Sequence, residues 1–346
     1  MLEIKVLQES TFMHKPLSEH PENHTRIIRV INALSTSGIS FKTECIESFD
    51  LSESIKLATR VHAKGYVDYL LKLSHRAPLI IDEDTYMSKD SLRLALGTLY
   101  ASYYLALSTK NTVFVVSRPP GHHAGKGGRA MGASTLGFCL LNNAAGAVEG
   151  FRERGIRKIA LLDFDAHHGN GTMEIYYSEK ILQVDFHQDP DTLSPCTGYP
   201  VDRGSGSGFG YKVNIILPPG SGDDLFEHIL NQVIALVDEY TPEALVVSAG
   251  FDAYENDGLA DLRLTDISYY KLGSIIKQMG VPTIIVLEGG YGVGLLRGLI
   301  SFTEGALGLS RDYIHSTRTL PLIFQRASRL ANKVLARAHR KIARGV

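Results

Sequence analysis

Apolar residues follow two rhythms along this chain. Short apolar runs rich in β-branched residues occur at TVFVVS (112–117), KIALLDFD (158–165), ILQVDF (181–186), ALVVSAG (244–250) and TIIVLEGG (283–290). They are too short for typical helices and are bounded by glycine and polar residues, so they predict strands buried on both faces. Between most of them, stretches such as FEHILNQVIALVDEY (226–240) and ISYYKLGSIIKQMG (267–280) space their apolar residues as helices do. The N-terminal part reads as mainly helical, through HPENHTRIIRVINAL and ESIKLATRVHAKGYVDYLLKL. Alternating strand and helix predicts an α/β fold, with a mostly parallel sheet flanked by helices on both faces. There is no Ser/Pro-rich linker, internal repeat or break in composition, so residues 1–346 read as a single domain.

The polar residues follow the strands. In LLDFDAHHGNG (161–171) an apolar run turns abruptly into Asp163, Asp165 and His167. Extended chain would put these three side chains on one face. Similarly, VFVVS leads into RPPGHH, LVVSAG into FDA, and IIVL into EGGY. Open α/β sheets bind ligands just beyond the carboxyl ends of their strands. Four strand ends therefore bring His122, His123, Asp163, Asp165, His167, Asp252 and Tyr291 towards one rim.

Asp165, His167 and Asp252 make a three-donor metal site with a position left open for water, as a catalytic centre needs. The bland alternative is a salt-bridged or helix-capping cluster, and Asp252 alone would usually be just a cap. Zinc is the default ion, and the mixed N/O set also suits iron(II), cobalt or manganese. His122 and His123 follow a Pro-Pro-Gly turn; beside carboxylates they suit proton transfer, because imidazole titrates near working pH. Tyr291 approaches the rim behind Gly289 and Gly290.

Composition narrows the setting. The chain has 346 residues, 44% hydrophobic and 21% charged, with a formal net charge of −1. That balance argues against wholesale attraction to nucleic acid or acidic membranes. Cys45, Cys139 and Cys196 are too few and too scattered for a disulfide framework and suit a reducing compartment, so a cytoplasmic location is expected. The first residues lack the apolar core of a signal peptide, and no apolar run is long enough for a membrane span. The segment GSGSGFG (204–210) lacks the Lys-Ser/Thr ending of a phosphate loop, leads into a strand, and is expected near the rim. The tail from Arg326 to Val346 holds seven Arg and Lys and no acid. It could meet nucleic acid or an acidic partner, but a packed terminal helix with a solvated basic face is the expectation.

Taken together, RPPGHH, DFDAHHGNGT, the GFDA around Asp252, LEGGY, HPENHTRI and VHAKGYVDYL resemble the zinc-dependent histone deacetylase and acetylpolyamine amidohydrolase family. The resemblance runs over residues 14–310 and leaves 311–346 as a basic helical tail. It implies an arginase-like α/β domain that hydrolyses an acetylated amine to free amine and acetate. It also implies roles: Asp165, His167 and Asp252 as metal ligands, His123 as general base and later acid, and His122 as its electrostatic partner, hydrogen-bonded to Asp163. Asn170 would support His123, and Tyr291 would hydrogen-bond the substrate carbonyl. Gly137 and Phe138 match the start of an acyl-lysine tunnel. Backbone carbonyls around Asp163, Asp165 and His167, with the segment near Asp185 and Phe186, would hold a monovalent cation, potassium or sodium.

Departures from that pattern concern substrate. Ser194 stands where a second tunnel aromatic is usual, Cys196 where glycine is, and Asp185 where many members have serine. The run AGKGGRAMGASTL is longer than the common form and is expected to reshape the entrance. Leu259 occupies a position where polyamine-specialised members can carry glutamate. Two other classes stay open: a two-metal ureohydrolase of arginase type, which needs further paired Asp ligands, and a silent acyl-lysine binder. The expected partner is the acetylated substrate, as a small molecule or a protein lysine, and assembly into a homo-oligomer stays open.

Overall fold

The computed structural model describes residues 2–46 and 50–344. Its centre is an eight-stranded sheet, parallel throughout, built from β1 (Leu2–Leu7), β2 (Lys42–Glu44), β5 (Thr112–Val116), β8 (Ile159–Asp163), β9 (Leu182–Gln188), β10 (Lys212–Leu217), β11 (Ala244–Ala249) and β12 (Thr283–Leu287). Two small antiparallel hairpins stand apart from it: β3 (Leu79–Ile80) with β4 (Tyr86–Met87), and β6 (Ala124–Gly125) with β7 (Gly128–Arg129). The strand order is β10-β9-β8-β11-β12-β5-β1-β2.

Each central strand is apolar on both sides because both sides are covered. Leu162, Val247 and Ile285 join one core cluster with α1 (Thr25–Thr36), α7 (Asp223–Tyr240), α8 (Asp266–Met279), α9 (Gly294–Leu307) and α10 (Pro321–Arg344). Their neighbours Leu161, Val246 and Ile284 join a second cluster. That one is shared with α2 (Leu51–Val61), α3 (Lys64–Ser74), α4 (Ser91–Ser108), α5 (Asn143–Glu153) and the short α6 (Asn170–Ile175). Each such side chain, fully buried, contributes about 1.5–3 kcal/mol. A charge on either face would therefore be expelled unless it served a site.

The N-terminal part is mainly helical as expected, the two quoted stretches forming α1, α2 and α3, but LEIKVL adds β1, whose Leu2, Ile4 and Val6 are buried in alternation with half-buried Glu3 and Lys5. Two expectations need correction. The strand through LLDFD ends at Asp163, so Asp165 and His167 lie in irregular chain beyond it rather than on a strand face. The GSGSGFG segment is not at the rim. It precedes β10, and in a parallel sheet the chain entering a strand lies opposite the carboxyl ends; Gly204 and Gly208 pack there on the backbone of Tyr177 and Glu179.

The tail forms α10, as its spacing predicts. Ala327, Ala331, Val334, Leu335 and Ala338 are buried, and the helix lies on α7 and β10. No helix among the described residues is long and apolar enough to cross a membrane.

Candidate active site

The four strands whose ends carry the polar motifs, β8, β11, β12 and β5, are consecutive in the sheet. From β8 the chain steps outward to β9 and β10, then returns to β11 on the other side of β8. That reversal opens a crevice at the carboxyl ends, where ligands of open α/β sheets bind. Asp165 follows β8 and Asp252 follows β11, so the two stand on either side of the reversal.

Among the described residues, Asp165, His167 and Asp252 form the one group of three or more such donors able to share a metal, with one donor atom of each within 4.8 Å of the others. His167 Nδ1 lies 3.0 Å from both Asp165 Oδ1 and Asp252 Oδ2. The outer oxygens are already held: Gly289 N–H donates to Asp165 Oδ2 (2.7 Å) and Ala166 N–H to Asp252 Oδ1 (2.9 Å). Both carboxylates are buried. Burial alone opposes charge on the His167 ring, yet hydrogen bonds to the two carboxylates push its pKa up to about 10. Burial and the neighbouring Asp165 charge raise the Asp252 pKa to about 6. The cluster thus calls for positive charge between its oxygens, and one nitrogen with two carboxylates fits a divalent ion. The backbone makes room for it: a Cβ on Gly289 would come within 2.3 Å of Asp252 Oδ2 and 2.5 Å of Asp165 Oδ2. That explains the Gly at this place in LEGGY.

The histidine pair lies beside this cluster, its ring centroids 4.1 Å apart. His122 Nδ1 is 3.0 Å from Asp163 Oδ2. Burial disfavours its charged form, but the carboxylates of Asp163, Asp165 and Glu288 outweigh that and hold its pKa well above the usual imidazole range. His123 is driven the other way, well below that range, by burial and by the rings of His122 and His167. Its tautomer is set by hydrogen bonds. Asn170 Nδ2 donates to the Ala130 carbonyl (3.0 Å), so Asn170 Oδ1 faces His123 Nδ1 (2.7 Å) and must accept from it. Nε2 of His123 is then left with a free lone pair. Neighbouring groups tuned apart in this way are suited to divide acid and base roles.

A cavity of about 260 Å³ opens over these groups, lined by His122, His123, Asp165, His167, Gly137, Phe138, Ser194, Leu259 and Tyr291. Every substrate-side residue expected from the sequence therefore reaches it. The Phe138 ring meets the Tyr291 ring edge-on at 5.6 Å. Gly137 has φ of +53°, and a Cβ there would strike the His123 ring at 2.3 Å, so glycine is required. The long run after His123 forms the β6–β7 hairpin, anchored where Glu174 accepts from Lys126 N–H (3.0 Å) and Met131 N–H (2.9 Å). It brings Thr135 to the cavity wall and Ala130 to Asn170. Asp163 and Asp185 do not line the cavity. They are register partners on β8 and β9, and Asp185 Oδ2 accepts from Gly169 N–H (3.0 Å). Phe186, on the alternate side of β9, is buried in the core.

Several residues that hold this arrangement were not singled out in the sequence. Glu288 Oε2 accepts from Gly121 N–H (2.7 Å) and His122 N–H (3.2 Å), tying the histidine turn to the end of β12. Buried Glu22 binds both Arg26 and Arg118. Arg26 also donates to the Gly290 carbonyl (2.9 Å) and lies 4.6 Å from the centroid of the Tyr291 ring. Asp257 accepts from Tyr291 N–H (2.7 Å) and Gly292 N–H (2.8 Å). Asp84 reaches the cavity wall, where Thr135 hydroxyl donates to it at 2.5 Å. Glu22 and Arg26 lay inside a quoted motif, but only the fold shows that they buttress a loop more than 260 residues away.

A parallel sheet with a three-donor cluster and an oppositely tuned histidine pair at its crossover defines an α/β protein of the deacetylase type. Known proteins agree. Residues 20–303 match the histone deacetylase domain, and the chain belongs to that family. An uncharacterised protein of Methanocaldococcus jannaschii is 36% identical over 297 residues, 84% of each chain. Acetylpolyamine amidohydrolase 1 of Pseudomonas aeruginosa is 40% identical over 223 residues, 62% of this chain and 63% of that one. Among solved structures, the HD domain of HDA15 superposes with a TM-score of 0.83 at 27% identity, covering 99% of this chain and 98% of that one. Family membership supports hydrolase activity of the deacetylase kind, acting on acetylated amines, and members of the family are metal-dependent.

Proposed function

We propose that this protein hydrolyses an acetylated amine, an acetyl-lysine, acetylpolyamine or related small acetamide, to the free amine and acetate with a divalent metal. The observation that carries the reading is the Asp165–His167–Asp252 cluster beside a histidine pair tuned in opposite directions, all opening into one cavity. When bound, a divalent ion (zinc first; iron(II), cobalt or manganese also suit the donors) supplies Lewis acidity to the attacking water and the amide carbonyl. His123, neutral and with Nε2 free, accepts the proton of that water and later returns it to the leaving amine. His122, charged beside Asp163, favours the developing negative charge and keeps His123 neutral at rest. The Tyr291 hydroxyl donates to the carbonyl oxygen as charge builds on it. Buried Asp163 and Asp185, side by side on β8 and β9, would also suit a monovalent cation, potassium or sodium, for which the backbone around Asp165, His167 and Phe186 would supply the carbonyl donors.

Purified protein, stripped by chelation and reloaded with single metals, tests this against a panel of acetylated lysine peptides, acetylpolyamines and small acetamides. Acetate release should vanish on stripping and return with metal. A protein that binds these amides without releasing acetate is a reader, and two metals per chain with urea release would mark a ureohydrolase.

Asn170 gives a test of proton transfer. Asn170→Asp places a negative charge against His123 and raises its pKa. Because His123 must be neutral to act as base, the acidic limb of the kcat/KM profile should move to higher pH. A limb that stays put at normal metal content removes His123 from that role.

Ser194 bears on substrate scope. It lines the cavity between Leu193 and Pro195, with Phe138 the one phenylalanine in the lining. We read a broad channel with modest discrimination among acyl amines. Ser194→Phe should raise kcat/KM for acetyl-lysine peptides and lower it for bulky acetamides, changing the ratio by about 1–3 kcal/mol. An unchanged ratio means that Thr135 or Leu259 already sets the width.

A further inference from the structure

The exposed side of α10 carries Arg326, Arg329, Lys333, Arg337 and Arg340. They recur at intervals of three and four residues, which puts them in one line along the helix. With a rise of 1.5 Å per residue the line is roughly 21 Å long. No acid occurs from Arg326 onward, although the whole chain has a net charge of −1, so the remainder is distinctly acidic. Among the described residues none of the five makes an ion pair, whereas Arg60, Arg152, Lys271 and Arg297 elsewhere each bind a carboxylate. Glu239 of the adjoining α7 is taken by His339. The helix also lies outside residues 20–303, the part that matches the family.

What such a line can bind is limited by what surrounds it. A membrane surface would need the apolar side of the helix as well, and Ala327, Ala331, Val334, Leu335 and Ala338 are spent on the core. A protein partner would need a cluster of aromatic or aliphatic anchors; among its described residues the helix exposes a single one, Leu322 in its first turn, and between Gln325 and Arg340 the other exposed residues are Gln325, Asn332 and Ala336. Arg and Lys flanked by side-chain amides are instead the groups that contact phosphates. A duplex carries one phosphate charge per about 1.7 Å of its axis, both strands counted, so a line of this length meets a charge density at least as high as its own.

We propose that α10 is a docking face for the phosphodiester backbone of double-stranded DNA, bound without sequence preference. The face lies on α7 and β10, and none of its residues lines the catalytic cavity, so DNA and a small substrate bind independently.

Fluorescence anisotropy of the full chain with labelled 20-base-pair duplexes of two unrelated sequences tests the proposal. Both should bind alike at 50 mM salt and weaken several hundredfold, to about three orders of magnitude, by 200 mM, as expected for about five neutralised phosphates. The triple variant Arg329→Gln, Lys333→Gln, Arg337→Gln should lose at least about tenfold in affinity at 50 mM, with acetate release from a small acetamide unchanged. A control triple variant, Lys56→Gln, Lys64→Gln, Lys72→Gln, removes the same charge elsewhere and should bind as the parent does. Absence of binding at 50 mM, equal losses in the two triple variants, or tighter binding to polyglutamate or anionic vesicles would overturn the proposal.

Discussion

Asp252→Ala is expected to leave the protein folded but nearly empty of metal, with acetate release down at least about a thousandfold. Asp252 is fully buried, and its Oδ2 lies 3.0 Å from His167 Nδ1. Removing it leaves one carboxylate and one imidazole, too few for a divalent ion to be held against water. Because alanine also removes the acceptor of the Ala166 N–H bond, Asp252→Asn serves as the companion. It keeps a carbonyl oxygen for that bond and deletes only the charge. Metal per chain by elemental analysis and acetate release should fall together in both variants. A variant with full metal content and parental turnover would remove Asp252 from the centre.

Tyr291→Phe should lower kcat by about 10²–10³ and change KM little, the usual loss for one positioned oxyanion donor. The ring contacts survive this change, since Phe138 and Arg26 touch the ring rather than the hydroxyl, and the backbone of residue 291 stays tied to Asp257. Burial holds the hydroxyl pKa well above the usual phenol range, so it works as a neutral donor. Steady-state kinetics on an acetylated substrate, with metal content measured alongside, decide the matter. Parental kcat in the variant would mean that the carbonyl oxygen finds its partners elsewhere.

Much of this protein can be read from the chain because its chemistry is local to strand ends. The runs that became β5, β8, β11 and β12 are apolar without alternation, a pattern only a sheet covered on both faces tolerates, and the polar residues sit where those runs stop; β9 instead alternates, with Gln183, Asp185 and His187 between Leu182, Val184 and Phe186. The type of fold and the rim residues His122, His123, Asp165, His167, Asp252 and Tyr291 follow from that. The α10 helix follows from its periodicity. What stayed illegible depended on partners distant in sequence. Strand alternation suggested that Asp163, Asp165 and His167 act as one face. In the fold β8 ends at Asp163, and Asp165 and His167 are turned towards Asp252 by irregular chain in which Asp165 accepts from Gly289 N–H and Ala166 N–H donates to Asp252. No local pattern marks β2, whose three residues KTE carry no apolar side chain and pair only because β1 lies beside them. GSGSGFG looked like a rim loop, and only the direction of β10 placed it at the opposite end. The support beneath the site is likewise tertiary. Glu288, Glu22, Arg26 and Arg118 are ordinary charged residues in sequence, and only burial in a packed interior makes each of their hydrogen bonds obligatory and so holds the histidine turn and the Tyr291 loop in place. Periodicity and motif thus determined which residues could react. Burial and strand order, set by contacts across the whole chain, decided how those residues are charged and aimed.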